Sequence, residues 1–191
     1  MKRKAGRMIA TEQLTTEHKG IQMMLRILDA MCERLESGRA VAAEHLESVV
    51  EFLKVFVDKC HHGKEEELLF PALEAAGVPR EGGPIGVMLR EHNQGRGHVE
   101  RMSKAAAQYR AGEAKAAADF VGAAKVYMDL LIEHIEKEDG VLYVMADARL
   151  SEKKQEELAE GFERIERERI GVGRHEEFHK TMKQLADVYL R

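Results

Sequence analysis

Four histidines and two glutamates in this sequence stand where they could hold metal ions. His61 is followed four residues later by Glu65, and His134 by Glu138. Both pairs lie in a repeated phrase. His61-His62-Gly63-Lys64-Glu65-Glu66-Glu67-Leu68-Leu69-Phe70 is matched, 73 residues on, by His134-Ile135-Glu136-Lys137-Glu138-Asp139-Gly140-Val141-Leu142-Tyr143. Upstream of each copy is a Glu-His pair, Glu17-His18 and Glu91-His92, 74 residues apart. Residues four apart on a helix point nearly the same way. Each repeat therefore offers a His and a Glu from one helix and a second His from another. Imidazole nitrogens with carboxylate oxygens suit borderline metals such as iron, manganese or zinc. Two carboxylates among four His point to a pair of ions bridged by Glu65 and Glu138, with two His on each. Each ion would keep open positions for solvent or a small ligand.

Helices must bring these groups together. Leu14, His18, Ile21, Leu25, Leu28, Cys32 and Leu35 step by alternating fours and threes, the mark of one helix face along a bundle. Thr11 is a candidate cap, and Ser37-Gly38 ends the helix. A second helix is expected from about Val41 to about Phe70, with Leu46, Val50, Leu53, Val57, His61, Glu65 and Leu68 inward. Gly63 inside it costs about 1 kcal/mol relative to Ala, which calls for a packing or site reason. Gly77-Val78-Pro79-Arg80-Glu81-Gly82-Gly83-Pro84 reads as a loop. Pro84 opens a third helix whose face carries Ile85, Leu89, His92, Arg96, Val99, Met102, Ala106 and Tyr109, and Gly112 breaks it. A fourth carries Phe120, Ala124, Tyr127, Leu131, His134, Glu138, Val141 and Met145 and ends near Asp147.

The expected fold is all-α: an antiparallel up-down four-helix bundle over residues 10–147. A C-terminal helical appendage, 151–191, has no counterpart in the repeat and packs on the bundle. Counted along antiparallel helices, His18, His61, His92 and His134 fall at one height near one end. Such a layer cannot stay dry and unpaired, because an isolated buried carboxylate costs several kcal/mol. Metal ions satisfy all six groups.

Composition excludes several alternatives. The chain has 191 residues, 34% of them charged, only three Pro and no Trp, which suits helices. A net charge of −4 gives no basic face for nucleic acid. The two Cys, Cys32 and Cys60, make no disulfide framework. The basic start Met1-Lys2-Arg3-Lys4 is followed by no apolar region, so it is no secretory signal, and residues 1–9 are expected to fray. No run approaches a membrane span, and the cytoplasm is the expected location. The ferritin-like Glu-x-x-His spacing is absent, as are HExxH, a Gly-rich phosphate loop and a nucleophile elbow.

Other side chains offer alternatives to the six. His62 with Glu66 could replace His61 with Glu65, but the seam and the repeat favour the latter. His98 faces away from His92, and His45 is expected to be exposed at the far end. His175 and His179, at i and i+4, read as tail packing or as a supplementary metal ligand. Cys60 is a small apolar group near the site. Tyr127, one heptad before His134, reads as core or as pocket lining.

Glu17-His18, His61-x-x-x-Glu65 within HHGKEEELLFP, Glu91-His92 with Arg96, and His134-x-x-x-Glu138 within HIEKEDGVLY resemble the hemerythrin-like family, the HHE cation-binding domain, over about residues 10–147. The resemblance implies a four-helix bundle with two iron ions joined by an oxo or hydroxo bridge, zinc or manganese being substitutes. It makes His18, His61, His92 and His134 terminal ligands and Glu65 and Glu138 bridges. The family's oxygen carriers have a further His one turn after the position of His92, where this chain has Arg96. That departure points to branches tied to sensing nitric oxide, oxygen or iron, or to repair of iron–sulfur centres. The repair branch often has a Cys-containing N-terminal segment, which this sequence does not show.

The expected function is thus a di-iron protein that binds oxygen, nitric oxide or peroxide for sensing, storage or stress response. A di-iron oxidase, peroxidase or nitric-oxide reductase is the enzymatic alternative. A bundle merely stapled by metal is the structural one. No nucleic-acid or membrane partner is expected, and nothing in the sequence identifies a protein partner.

Overall fold

A computed structural model describes residues 9–191. Residues 1–8, where fraying was expected, lie outside the described residues. Six helices and no strand are present among those described. They are α1 (Ala10–Glu36), α2 (43–75), α3 (Pro84–Arg110), α4 (116–149), α5 (Glu152–Arg169) and α6 (Arg174–Tyr189). No helix is long and apolar enough to cross a membrane.

The first four helices pack α3 on α4, α1 on α4 and α2 on α3. Their apolar faces form two separate clusters. One runs from Ile21 to Cys32 on α1 and from Leu46 to Cys60 on α2, joined by Val99, Met102, Phe120 and Leu131. The other gathers Leu14, Leu69, Phe70, Ile85, Leu142 and Ala146. His18, His61, His92 and His134 fall between the two clusters along their helices, so a polar layer divides the core.

The tail packs on this body rather than standing apart. Helix α5 lies against α1 and the middle of α2, and α6 against α1 and the start of α2. Leu158, Phe162, Ile165, Phe178 and Leu185 are buried there. Ser151 caps α5, its Oγ accepting from the Lys154 backbone N–H at 3.2 Å. Gly171-Val172-Gly173 breaks the chain before α6, both glycines at positive φ.

Several expectations change. Thr11 does not cap α1. The helix begins two residues earlier, with Ile9 at the cap, and the Thr11 hydroxyl donates instead to Asp147 Oδ1 at 2.7 Å. Helix α2 runs on past Pro71 to Ala75. More consequentially, α2 is π-helical over Leu53–His62 and Glu65–Leu69, and α4 over Glu138–Leu142. A π turn bonds i to i+5 and inserts a residue into the register. The inward positions slip by one as a result. Leu69 is buried where Leu68 was expected, and Leu142 where Val141 was, Val141 being 51% exposed. Met145 likewise yields to Ala146. Gly63 is buried, yet an added Cβ would meet only Asp58 O at 4.0 Å, so packing does not require it.

Candidate metal centre

Helices α1 to α4 bring all six expected residues into one buried layer, each 2% exposed or less. The imidazole Nε2 atoms face one another. His18 Nε2 lies 3.0 Å from His61 Nε2, and His92 Nε2 lies 3.1 Å from His134 Nε2. Glu138 spans the two pairs, with Oε2 3.2 Å from His18 Nε2 and Oε1 3.1 Å from His134 Nε2. Glu65 Oε2 stands 3.5 Å from His92 Nε2 and 3.9 Å from His61 Nε2.

The opposite nitrogen of each ring explains why they face inward. His18 Nδ1 bonds Asp139 at 2.9 Å, His61 Nδ1 bonds Glu17 at 2.9 Å, His92 Nδ1 bonds Glu66 at 2.7 Å and His134 Nδ1 bonds Glu91 at 2.9 Å. A carboxylate on Nδ1 fixes the N–H there and leaves Nε2 a bare lone pair, as for histidines that ligate metals. Two such lone pairs opposed at 3.0 Å repel unless a cation or a proton lies between them.

The supporting carboxylates are anchored in turn. Glu17 accepts from Lys64, Glu91 from Lys137, and Glu66 from Arg96 at 2.7 Å. Asp139 accepts from the Thr15 hydroxyl at 3.2 Å. The scheme obeys the sequence repeat. Glu17 on α1 and Glu91 on α3 hold the His of the following helix, while Glu66 on α2 and Asp139 on α4 hold those of α3 and α1. Motif residues with no assigned role, the Lys three residues after each His and the acid after each Glu, thus serve as the outer support.

Two departures from the repeat reach the layer. His62 has Ile135 as its counterpart, and Tyr143 has Phe70. His62 is buried with both ring nitrogens lacking a hydrogen-bond partner, and it stacks on His92 at 3.8 Å between centroids. The choice between His61 and His62 was therefore a false one: both point inward, because the wide turns of α2 carry adjacent side chains to the same side. Glu66 goes to the outer support instead. Near the other pair, the Tyr143 hydroxyl donates to Glu65 Oε1 at 2.7 Å and lies 3.4 Å from His18 Nε2. Donor atoms consequently group as His62, Glu65, His92 and His134, and as His18, His61 and Glu138, within 4.8 Å in each group. The signal for His62 was the His-His doublet itself.

Electrostatics mark the layer as one that wants cations. Burial opposes a charge on His18, but Asp139 and Glu138 outweigh it and push its pKa up to about 10. Burial pulls His61 down to about 4, and pulls His62 well down with the help of the His92 and His134 rings. Burial and the neighbouring Glu138 charge hold Glu65 well above the usual carboxylate range. For Glu138 the surrounding His134, His18 and His92 rings overcome burial and hold it well below. The unpartnered atoms (both nitrogens of His62, Glu65 Oε2 and both oxygens of Glu138) fit a pair of bound ions.

The remaining candidates lie elsewhere. His175 lies flat on Phe56 at 5.2 Å, 3.6 Å from Glu166, and with His179 it joins neither donor group. His45 is half-buried rather than exposed, bonded at 2.7 Å to the Tyr189 hydroxyl of the tail. His98 is half-buried and outside the layer. Cys60 is a free, buried thiol pushed up to about 12 by burial, which makes it inert. Tyr127 is buried in the core and also lines a groove between α2 and α3.

A family model for the hemerythrin HHE cation binding domain matches residues 9–146. Proteins described only as uncharacterized, one from Mycobacterium bovis and two from strains of Mycobacterium tuberculosis, are each 25% identical to the chain. These matches span 179 residues, covering 94% of this chain and 68% of the relative. No solved structure gives a significant match.

Proposed function

The chain belongs to the hemerythrin HHE cation-binding domain family, and on that premise we propose that it is a di-iron protein of the cytoplasm that binds a small ligand such as oxygen, nitric oxide or peroxide. The observation that carries this reading is the set of four inward Nε2 atoms, each fixed by a carboxylate on Nδ1, around carboxylate oxygens without partners. In this reading α1 to α4 form an up-down four-helix bundle. His18, His61 and Glu138 would hold one ion, and His62, His92, His134 and Glu65 the other. Glu138 and Glu65 each stand close to His nitrogens of both groups and would serve both ions.

A redox-active ion pair with an open position would supply reversible binding or reduction of the small ligand. The chain's own residues do the rest. Glu17, Glu66, Glu91 and Asp139 fix the ring orientations. The two apolar clusters on either side of the layer keep water out. Tyr143 holds its proton on Glu65 Oε1, with its hydroxyl 3.4 Å from His18 Nε2. Azide added to the iron-loaded protein should change its optical spectrum. A spectrum indifferent to azide would instead favour a closed, structural metal staple.

One observation favours the enzymatic alternative. A phenol hydrogen-bonded to a bridging carboxylate can supply a proton, or an electron, to a reacting ligand. Consumption of peroxide or nitric oxide with a supplied reductant, lost in Tyr143→Phe, would establish turnover. Binding without consumption keeps the carrier or sensor reading.

A further inference from the structure

Two grooves run along the outside of the helices. One, of about 660 Å³, lies between α2 and α3, and the other, of about 880 Å³, between α1 and α4. The sequence repeat maps one onto the other. Arg96 and Val99 in the first correspond to Gln22 and Leu25 in the second, 74 residues earlier. The grooves differ at their inner ends. The first reaches Gly95 and His62. Their counterparts at the second groove are Ile21 and Ile135, both buried, and neither lines it. The α1/α4 groove is thus closed off by two isoleucines. The α2/α3 groove continues to an imidazole of the candidate metal layer that has no hydrogen-bond partner on either nitrogen.

Gly95 keeps that opening. A Cβ placed there would stand 3.4 Å from Cε2 of Tyr127, already at contact. A longer side chain has to fill the groove or displace the Tyr127 ring. At the same level Arg96 donates to Asp58 Oδ1 at 2.7 Å and to Glu66 Oε1 at 2.7 Å, tying α3 to α2. Asp58 Oδ1 in turn lies 3.6 Å from His62 Nδ1, just outside hydrogen-bond reach. Val50, Leu53, Val99 and Tyr127 give the groove an apolar surface, and Glu47, Glu51, Lys54, Lys59 and Glu100 line it with charges of both signs, a setting that admits a small molecule of low charge.

We propose that the α2/α3 groove is the route by which a small neutral or singly charged ligand reaches the metal pair, with Gly95 holding it open and the Arg96–Asp58 pair covering its His62 end. This rests on the metal-binding reading above. It assigns a function to Arg96, which stands where the family's oxygen carriers have a further His: here it latches the entrance, while His62 supplies the nitrogen from α2.

The test uses azide as the probe and stopped-flow association with the iron-loaded chain. Gly95→Ile places in this half the residue that closes the other groove. It is expected to slow azide association by about tenfold or more while leaving the iron content unchanged. Ile132→Trp, on the rim of the α1/α4 groove, is expected to leave the rate unchanged. Gly95→Ala, which adds one methyl and suits a helix better than glycine, gives a smaller slowing and keeps the test alive should the isoleucine variant misfold. A second readout needs no metal. In the metal-free chain, carbethoxylation of His62 by diethylpyrocarbonate, located by mass spectrometry, should be slower in Gly95→Ile, with exposed His179 unaffected. A wild-type chain that takes up no iron would sink the metal reading, and the carbethoxylation would still report on the groove. Azide and carbethoxylation rates both unchanged in Gly95→Ile, or an equal slowing by Ile132→Trp, would overturn the route.

Discussion

Replacing Lys64 with methionine, and separately replacing its repeat partner Lys137, turns the near-symmetry of the site into a measurement. Both lysines follow a layer His by three residues, and both hold the Glu that fixes that His. Their surroundings differ. Lys64 is fully buried, held by Glu17 and, at 3.3 Å, by Glu166 of the tail. Lys137 is 38% exposed and its partner Glu91 13%. Breaking a buried pair leaves a stranded charge and costs about 3–5 kcal/mol. An exposed pair is worth about 1 kcal/mol or less. For a chain of this size each kcal/mol moves the melting midpoint by roughly 2–4 °C. Lys64→Met should therefore lower the midpoint of the metal-free protein by about 6–20 °C, and Lys137→Met by no more than a few degrees. Differential scanning calorimetry with urea unfolding reads both. Adding Glu17→Gln to Lys64→Met should recover part of the loss, because no unpaired charge then remains. Equal shifts for the two lysines, or no recovery in the double variant, would refute the burial argument.

His62→Phe keeps the ring on His92 but removes a donor. One ion should stay tightly bound while the other weakens by roughly tenfold or more, as read by equilibrium dialysis, and unchanged affinity for both would exclude His62 as a ligand. Tyr143→Phe deprives Glu65 Oε1 of its donor at 2.7 Å and should cost about 1–3 kcal/mol in the metal-free chain; urea midpoints that agree with the wild type would contradict this. Glu17 has its pKa lowered from the ordinary 4.5 to about 2, since His61 and Lys64 outweigh its burial. A depressed carboxylate stabilises the fold above its unfolded pKa and loses that contribution as pH falls towards its folded value. The metal-free wild type should thus weaken as pH drops from about 4.5 to about 2, and Glu17→Gln should flatten that part of the curve; an identical acid profile for the two would count against it.

Much of this was legible in the sequence because helical periodicity and metal ligation both act through spacing. The four His and two Glu stood on seams of fours and threes, and repetition of the motif made an accidental cluster implausible. The errors came from backbone geometry that periodicity assumes away. A seam drawn at 3.6 residues per turn does not anticipate π turns, so Val141 and Leu68 were placed inward in place of Leu142 and Leu69. The same widening admitted both His61 and His62. The outer support was hidden for another reason. Glu17, Glu66, Glu91 and Asp139 are ordinary acids in a chain full of them, and only the fold shows which ring nitrogen each one meets. The tail could be foreseen to pack on the first helices, but not that Glu166 would reach Lys64, or that Tyr189 would meet His45.

The most direct test of the central claim is the number of metal ions per chain after anaerobic reconstitution with Fe(II), measured by inductively coupled plasma mass spectrometry on desalted protein. The account expects two irons per chain, with loss in both His61→Ala and His134→Ala, because each removal leaves a buried carboxylate short of its cation. A content that stays at or below one iron per chain, or that survives both substitutions, would contradict it.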